Sequence, residues 1–469
     1  MKKFSLISLA MLIVSLPTIA GGLLTNTNQN ATFLRNPARG AVIAIDGVYS
    51  NPAGIAFLPE GFHLSLSWQA AWQKRQITTN LGTEKLFEGS TAAPVIPSFQ
   101  AAYVFNDKWS LSAQFANGGG GGKCDFAEGL PMFEQVISGL AGSKPYSLKQ
   151  NLVGEQYMYA MQVGATYKLT DNFAVFGGVR GVLASNSYTG ALNNITVDGK
   201  NAAQYGELAA QAKGAAEQYA AAAQQYAAAG MTAEAAAAAA AAEQYAAAAT
   251  QAGTAAVMLK DYKLDCSQKD FGITPIVGFD WMLGNLNIGV KYEFRTKIEL
   301  ENEANNSENL AALAGQVSQV AVYADGAKVR ADIPALLTVA AQYSISPTVR
   351  VMGGYHQYFD TDAEGGATAV SKNTWEVNFG AEWDINDKWL ISGGYQRTQY
   401  GFEDEDMVDT SFNVSSDALA IGGAYKFNEN MRLNFGYMHS FFVDHEVEAK
   451  QSVYTRKNDA VGISFDIRF

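Results

Sequence analysis

Apolar and polar residues alternate along most of this chain. From Leu286 to Phe294 every second residue is apolar, and the residues between them are polar, charged or glycine. The segments 375–383 and 433–441 repeat the pattern. Because successive side chains of a β-strand point to opposite faces of the sheet, this alternation predicts strands with one apolar face and one polar face.

Short turns and long connections alternate regularly between these segments. We count fourteen segments, near residues 62–77, 98–105, 109–116, 156–169, 172–184, 271–282, 286–299, 331–345, 348–359, 374–385, 388–398, 416–427, 431–442 and 454–469. The predicted long loops cover residues 78–97, 117–155, 185–270, 300–330, 360–373, 399–415 and 443–453. An even number of strands connected in this way predicts an up-and-down antiparallel sheet with both termini at the short-turn edge.

The pattern also predicts where the sheet lies. Strands of about 10 residues can cross a bilayer when they are tilted, and in lipid the sheet must close so that every backbone polar group is paired. Aromatic residues near the segment ends, such as Trp68, Trp109 and Trp389, are typical of membrane interfaces. We therefore predict an all-β fold, a 14-stranded antiparallel transmembrane β-barrel over residues 62–469. A soluble exported sandwich or propeller remains the alternative.

The first twenty residues have the features of a secretory signal peptide. Lys2 and Lys3 form a basic start, an apolar stretch runs from Leu6 to Leu16, and small residues occupy Thr18 and Ala20. The apolar stretch is short for a membrane-anchor helix. Together with the barrel and its final residue, Phe469, this predicts a location in the bacterial outer membrane.

Composition excludes several functional classes. The chain is 12% aromatic and 17% charged with a net charge of −12, which argues against disorder and against a broad nucleic-acid surface. The four histidines are scattered, and no metalloprotease, paired C-x-x-C or G-x-S-x-G motif is present. We expect no enzymatic activity, no cofactor and no metal. Cys124 and Cys266 could form a disulfide in an exported protein or remain thiols.

Residues 21–61 precede the first predicted strand and do not resemble one. They combine turn formers with apolar residues such as Leu34, Ile45 and Ile55. Wall side chains alone cannot fill the lumen of a fourteen-stranded barrel. We predict that this segment folds into the lumen as a plug, with a disordered periplasmic tail as the alternative.

One part of this segment carries a family resemblance. Within Gly40–Leu58, the acidic Asp46 is followed by Asn51, Pro52, Ala53 and Gly54 just before the first strand. This arrangement resembles the N-terminal hatch of the FadL/TodX family of outer-membrane transporters. The resemblance implies passive, hatch-gated uptake of long-chain fatty acids or other hydrophobic small molecules, by a monomer surrounded by lipid and lipopolysaccharide.

The resemblance also implies that ligand leaves sideways through an opening at the third strand. Here that predicted strand ends at Ala116 and is followed by the glycine run Gly118, Gly119, Gly120, Gly121 and Gly122. Consecutive glycines hold a regular strand ladder poorly. We interpret the run as a mobile element at the lateral exit or the mouth, or alternatively as the flexible start of a loop.

An alanine-rich insert, residues 202–258, interrupts one long loop. Alanine, glutamate and glutamine favour helix, Gly230 can end a first helix and Thr232 can begin a second. We predict a helical hairpin in an extracellular loop that serves as a capture surface, an interaction arm or a neutral spacer. A general porin and a surface adhesin displaying this hairpin are the alternative functions.

Overall fold

The alternating segments form one closed antiparallel sheet in the computed structural model, which describes residues 27–310, 322–365 and 370–469. The predicted signal peptide lies outside the described residues. The strands are β1 Gly61–Asn80, β2 Glu84–Val104, β3 Trp109–Phe126, β4 Tyr146–Thr170, β5 Phe173–Val197, β6 Tyr262–Leu283, β7 Leu286–Glu293, β8 Glu299–Ala304, β9 Lys328–Arg330, β10 Ala335–Ser344, β11 Val349–Phe359, β12 Trp375–Asp384, β13 Trp389–Gln399, β14 Ser416–Asn428, β15 Met431–Phe442, β16 His445–Val447 and β17 Ser452–Arg468.

Fourteen of these strands make the wall. Each pairs with its neighbour in chain order, and β17 closes the barrel against β1 from His63–Arg468 to Thr79–Ser452. The three short strands β8, β9 and β16 lie outside this cycle and pair at the long-loop end, with β6, with each other and with β17. The predicted fourteen-stranded antiparallel barrel is confirmed.

The two faces of the wall have opposite character. Large apolar side chains such as Trp109, Trp281 and Ile421 are exposed on the outside, whereas polar side chains such as Gln100 and Asn434 are buried in the lumen. A soluble protein would bury the apolar face. The arrangement found here suits a barrel whose outer surface contacts lipid.

The short turns lie where the alternation predicts, but several long loops are shorter than expected. Strands β1 and β2 extend past the predicted boundaries and meet at the three-residue turn Leu81–Thr83, so the expected loop at 78–97 is wrong. Strand β3 likewise continues to Phe126. Beyond the hydrocarbon layer neither face of a strand needs to be apolar, so strand pairing continues after the alternation of hydrophobicity has ended.

The helices of the described residues include α1 Gly47–Ser50, α2 Pro131–Ala141, α3 Ala202–Ala228 and α4 Thr232–Met258. No helix in this part of the chain is both long enough and apolar enough to cross a membrane.

Helices α3 and α4 confirm the predicted hairpin in the loop between β5 and β6. Asn201 begins α3 with a reciprocal capping box to Gln204, and Gly230 adopts a φ of 76° between the arms. The rings of Tyr219 and Tyr245 stack across the arms at 5.3 Å. The two arms therefore pack mainly against each other.

The two cysteines do not form a disulfide. Cys124 lies on β3 and Cys266 on β6, and both are free thiols.

Candidate functional site

Residues 27–58, which we call the hatch, lie inside the barrel in the half nearest the short turns. Leu34, Ala53 and Ile55 have no exposed surface. Phe33 and Leu34 pack against lumen-facing alanines of β14 and β17 and against Met438 of β15. At the other end of the hatch, Ala53 packs against Phe176 and Ile276 of β5 and β6. The hatch thus contacts opposite sides of the lumen.

A group of buried charges joins the hatch to the wall. Glu382 of β12 accepts hydrogen bonds at Oε1 from Arg35 Nη1 at 2.7 Å and from Arg39 Nη1 at 2.9 Å. Arg350 of β11 donates to Oε2 of the same carboxylate at 2.8 Å. Paired and hydrogen-bonded in this way, the buried side chains of Arg35, Arg39 and Glu382 can remain charged, and the partly exposed Arg350 completes the group.

The predicted hatch residue Asp46 belongs to the same group. Its two carboxylate oxygens accept from Nε and Nη2 of Arg39 at 2.7 and 2.9 Å, which is a bidentate pair. Burial alone would raise the pKa of Asp46, but the Arg39 guanidinium outweighs it and the pKa is lowered. Asp46 therefore stays ionised and orients Arg39 towards Glu382.

The predicted residues Asn51 to Gly54 lie against another part of the wall. Asn51 Nδ2 donates to Asp280 Oδ2 of β6 at 2.5 Å, and the Pro52 carbonyl accepts from Thr166 Oγ1 of β4 at 2.9 Å. Gly54 lies so close that an added Cβ would come within 3.3 Å of the Asp280 carboxylate. This segment fixes the end of the hatch that precedes β1.

Glycines of the wall make room for the hatch backbone. A Cβ at Gly436 of β15 would lie 2.6 Å from the Arg35 nitrogen. A Cβ at Gly289 of β7 would overlap the Gly40 carbonyl oxygen. These positions favour glycine because the hatch passes directly against the wall.

The wall is interrupted between β2 and β3. Ser90 pairs with Asp125, and Phe99 pairs with Phe115. Between these two pairs, residues 91–98 of β2 have no partner among the described residues of β3. Two of these residues, Pro94 and Pro97, lack the N–H that a ladder requires. We call this stretch the wall gap.

The predicted glycine run forms the other side of the wall gap. Gly118 to Gly122 lie within β3, so their interpretation as the start of a loop is wrong. Gly120 and Gly122 adopt φ values of 87° and 70°, and the register with β4 shifts twice across the run. Residues with positive φ cannot maintain a regular ladder, so β3 bends here instead of following β2. Pro94 and Pro97 fall in the predicted loop 78–97, so the sequence analysis did not place them in the wall.

An apolar cluster occupies the lumen between the hatch and the long loops. It combines side chains from the long-loop ends of the wall strands with others from helix α2 and from the loop before β14. Its most deeply buried members are Ile77, Phe87, Leu130, Met407, Phe412 and Tyr454. Asp409 joins this loop to helix α2 and to β17, because its carboxylate accepts hydrogen bonds from Met132 N and from Tyr454 Oη, each at 2.7 Å.

Comparison with known proteins agrees with this architecture. A family model of the outer membrane protein beta-barrel domain matches residues 226–418. No curated protein matches the sequence. The chain therefore has the fold of a closed β-barrel, and part of it is similar to outer-membrane barrel domains.

Solved structures with a similar fold match nearly the whole chain. A FadL homologue from Pseudomonas aeruginosa superposes with a TM-score of 0.63 at 11% identity, over 96% of this chain and 100% of the other. The toluene transporter TbuX of Ralstonia pickettii gives 0.57 at 15% identity, over 95% and 99%. The toluene transporter TodX of Pseudomonas putida gives 0.58 at 13% identity, over 96% and 100%. At these identities the likeness shows a common fold.

Proposed function

We propose that this barrel is a passive channel for hydrophobic small molecules such as long-chain fatty acids, gated by its hatch and open to the membrane through the wall gap. The interrupted pairing of β2 and β3 carries the proposal, because a barrel that only enclosed an aqueous pore would have no use for an opening towards lipid. The fold shared with a FadL homologue and two toluene transporters supports it.

The order of features along the lumen supports a path for an apolar ligand. The apolar cluster includes Ile77 of β1, and the hatch packs around Ala71 of the same strand. The residues of the wall gap lie opposite Ser67–Gln73 of β1, just below the cluster. A ligand leaving the cluster thus meets the hatch beneath it and the gap beside it. Sideways exit spares an apolar molecule from entering water.

The hatch distinguishes this function from a general porin. A porin has a water-filled lumen and conducts ions. Here residues 27–58 fill the lumen and are held by Glu382 on one side and Asp280 on the other. We expect almost no ion conductance in planar bilayers until the hatch is deleted, with the barrel functioning as a monomer among lipid and lipopolysaccharide.

The surface-adhesin alternative is tested on the hairpin. Under that alternative, removing residues 202–258 should abolish binding to a partner while leaving ligand uptake intact. Loss of uptake in that variant, with the barrel assembled, would assign the hairpin a part in ligand capture.

A reversible cross-link across the wall gap tests the exit route. A Cβ at Gly122 would lie 3.7 Å from Cγ2 of Thr91 on the opposite strand, so side chains at these two positions are neighbours across the gap. We expect the Thr91→Cys, Gly122→Cys variant, with Cys124 and Cys266 replaced by serine, to slow oleate uptake when oxidised. Reduction should restore uptake, which separates blocked exit from misfolding.

A matched cross-link in a fully paired part of the wall is the control. Ala381 and Gly393 are register partners on β12 and β13, on the far side of the barrel. Their cysteine variants should leave uptake unchanged in either redox state. If the cross-link at the gap formed fully and uptake stayed at the wild-type rate, exit through the wall gap would be refuted.

A further inference from the structure

The hairpin of α3 and α4 exposes a large apolar surface. Each arm has 27 residues, and in these two fully described helices only Ala238 and Ala255 are buried. Residues 235–242 are eight consecutive alanines, so this part of α4 has no polar face to turn towards water. A helix that is apolar all round is normally covered by other parts of a protein. The two arms cover each other only along their shared seam, which leaves their outer faces open to a partner.

A groove runs between the arms on one face of the hairpin. Alanines of both helices line most of it, for example Ala216 of α3 and Ala246 of α4. Its charged residues are Lys213 and Glu217 of α3 and Glu243 of α4. All three are exposed, and none forms an ion pair within the described residues. The groove therefore combines small apolar side chains with charges that can pair with another molecule.

Lys213 and Glu217 are placed symmetrically in α3. They lie two residues to either side of Ala215, which is the central residue of the arm Ala202–Ala228. Residues four positions apart share one face of an α-helix, so both charges lie on the groove side. If α3 packed antiparallel against a copy of itself about a two-fold axis at Ala215, each Lys213 would face the Glu217 of the other copy. The face is thus complementary to itself.

The same two-fold axis places α4 against the α4 of the copy. Tyr219 stacks on Tyr245, which sets the level of the two arms relative to each other. Ala215 lies four residues before Tyr219, and because α4 runs in the opposite direction, the corresponding level on α4 is Ala249, another residue of the groove. Small side chains there allow the helices to approach closely. Both hairpins would be in contact over their full length of about 40 Å.

Two hairpins side by side in one membrane would not match in charge. Their two-fold axis would run along the hairpin, so α3 of one copy would lie against α4 of the other. Lys213 would then lie level with Gln251, and Glu243 is eight residues from Gln251, about 12 Å along the helix. The charge pattern therefore favours the antiparallel arrangement, in which the two barrels lie in facing membranes.

We propose that the hairpin binds the hairpin of a second copy of this chain in a facing membrane, antiparallel and through the groove, with reciprocal Lys213–Glu217 ion pairs at the centre. The hairpin then joins membranes, a function that does not depend on the proposed channel. Each barrel remains a monomer in its own membrane. One contact between exposed ion pairs and alanines is weak, so many copies on each membrane act together.

Charge reversal tests the pairing. Full-length protein is reconstituted into two populations of phosphatidylcholine liposomes with different fluorescent labels, and clusters that carry both labels are counted by flow cytometry. Digestion by external protease confirms that hairpins face outwards. We expect wild-type liposomes to cluster. Lys213→Glu liposomes alone, and Glu217→Lys liposomes alone, should form about tenfold fewer joint clusters, because like charges then face each other at the centre.

Mixing the two variants should restore clustering, because every central pair is then again opposite in charge. Net charge does not explain such a rescue. The wild-type hairpin has one lysine and four glutamates, so the Lys213→Glu and Glu217→Lys hairpins both remain acidic and repel each other at long range. The double variant Lys213→Glu, Glu217→Lys should cluster by itself like the wild type. Heat-dependent migration on gels verifies that each barrel is assembled.

A cross-link reports the orientation of the two hairpins. In the antiparallel pair Ala216 lies one residue from the two-fold axis and approaches its own counterpart, whereas in the parallel pair it lies against α4. With Cys124 and Cys266 replaced by serine, Ala216→Cys copies from the two liposome populations should form a disulfide-linked dimer. Preferential cross-linking of Ala216→Cys copies to Ala249→Cys copies would show the parallel arrangement and overturn the proposal.

Other outcomes would also overturn it. These are wild-type liposomes with outward-facing hairpins that do not cluster, Lys213→Glu liposomes that cluster as the wild type does, and a mixture of the two single variants that stays dispersed. The Lys213→Glu barrel should take up oleate at the wild-type rate. The channel proposal and the pairing of hairpins therefore succeed or fail separately.

Discussion

The salt-bridge group at Glu382 provides the sharpest test of how the hatch is held. Its carboxylate is 3% exposed and binds Arg35 and Arg39 of the hatch as well as Arg350 of the wall. In the Glu382→Gln variant, Arg39 keeps Asp46 and Arg350 keeps Asp384. Arg35 retains only the Ser392 hydroxyl, so the loss falls mainly on the hatch.

The magnitude follows from the burial of the group. Removing one partner of a buried ion pair typically costs about 3–5 kcal/mol. If the lower figure applies to the closed hatch, the ratio of closed to displaced hatch falls by about 150-fold. We expect frequent ion-conducting openings of single Glu382→Gln barrels in planar bilayers, against almost none in the wild type.

Glu376 provides the matched control on the same strand. It is buried in the lumen as Glu382 is, but its carboxylate binds wall residues only, including His356, Tyr358 and Thr398. The Glu376→Gln barrel should stay closed. If both variants stayed as closed as the wild type, the Glu382 group would not hold the hatch and our reasoning would be refuted.

Three further predictions concern the hatch. Replacing Asn51 and Pro52 by alanine should reduce oleate uptake severalfold without preventing barrel assembly, measured by heat-dependent migration on gels; normal uptake would count against the hatch role. Gly289→Ala should overpack the hatch by about 1–3 kcal/mol and increase conductance. The control variant is Gly177→Ala on the outer face, where an added Cβ meets no atom within 4 Å, and it should not increase conductance. Equal conductance in the Gly289→Ala and Gly177→Ala barrels would contradict the overpacking argument. Because the folded pKa of Asp46 is lowered, its stabilisation is complete above the ordinary value near 4 and is lost as pH falls through the folded pKa, so conductance should stay low from pH 8 to 5 and rise only below about pH 4.

Local periodicity was enough to predict the barrel and the hairpin. The apolar face of each membrane-crossing strand, the short turns and the helices on either side of Gly230 all depend on residues a few positions apart. The hatch was also predictable in outline, because a segment with apolar side chains and turn formers precedes the first strand. Its function in gating remains a prediction.

The tertiary structure alone decided which residues meet. Arg35 and Glu382 are 347 positions apart and become partners only because the hatch enters a closed barrel. Arg75 and Arg456 face each other only because the last strand pairs with the first, in one particular register. Periodicity assigns a residue to a face of the sheet, but it contains no information on register across the closure or on depth in the lumen. The physical reason is that these depend on backbone pairing between distant strands, which the alternation of side chains does not encode.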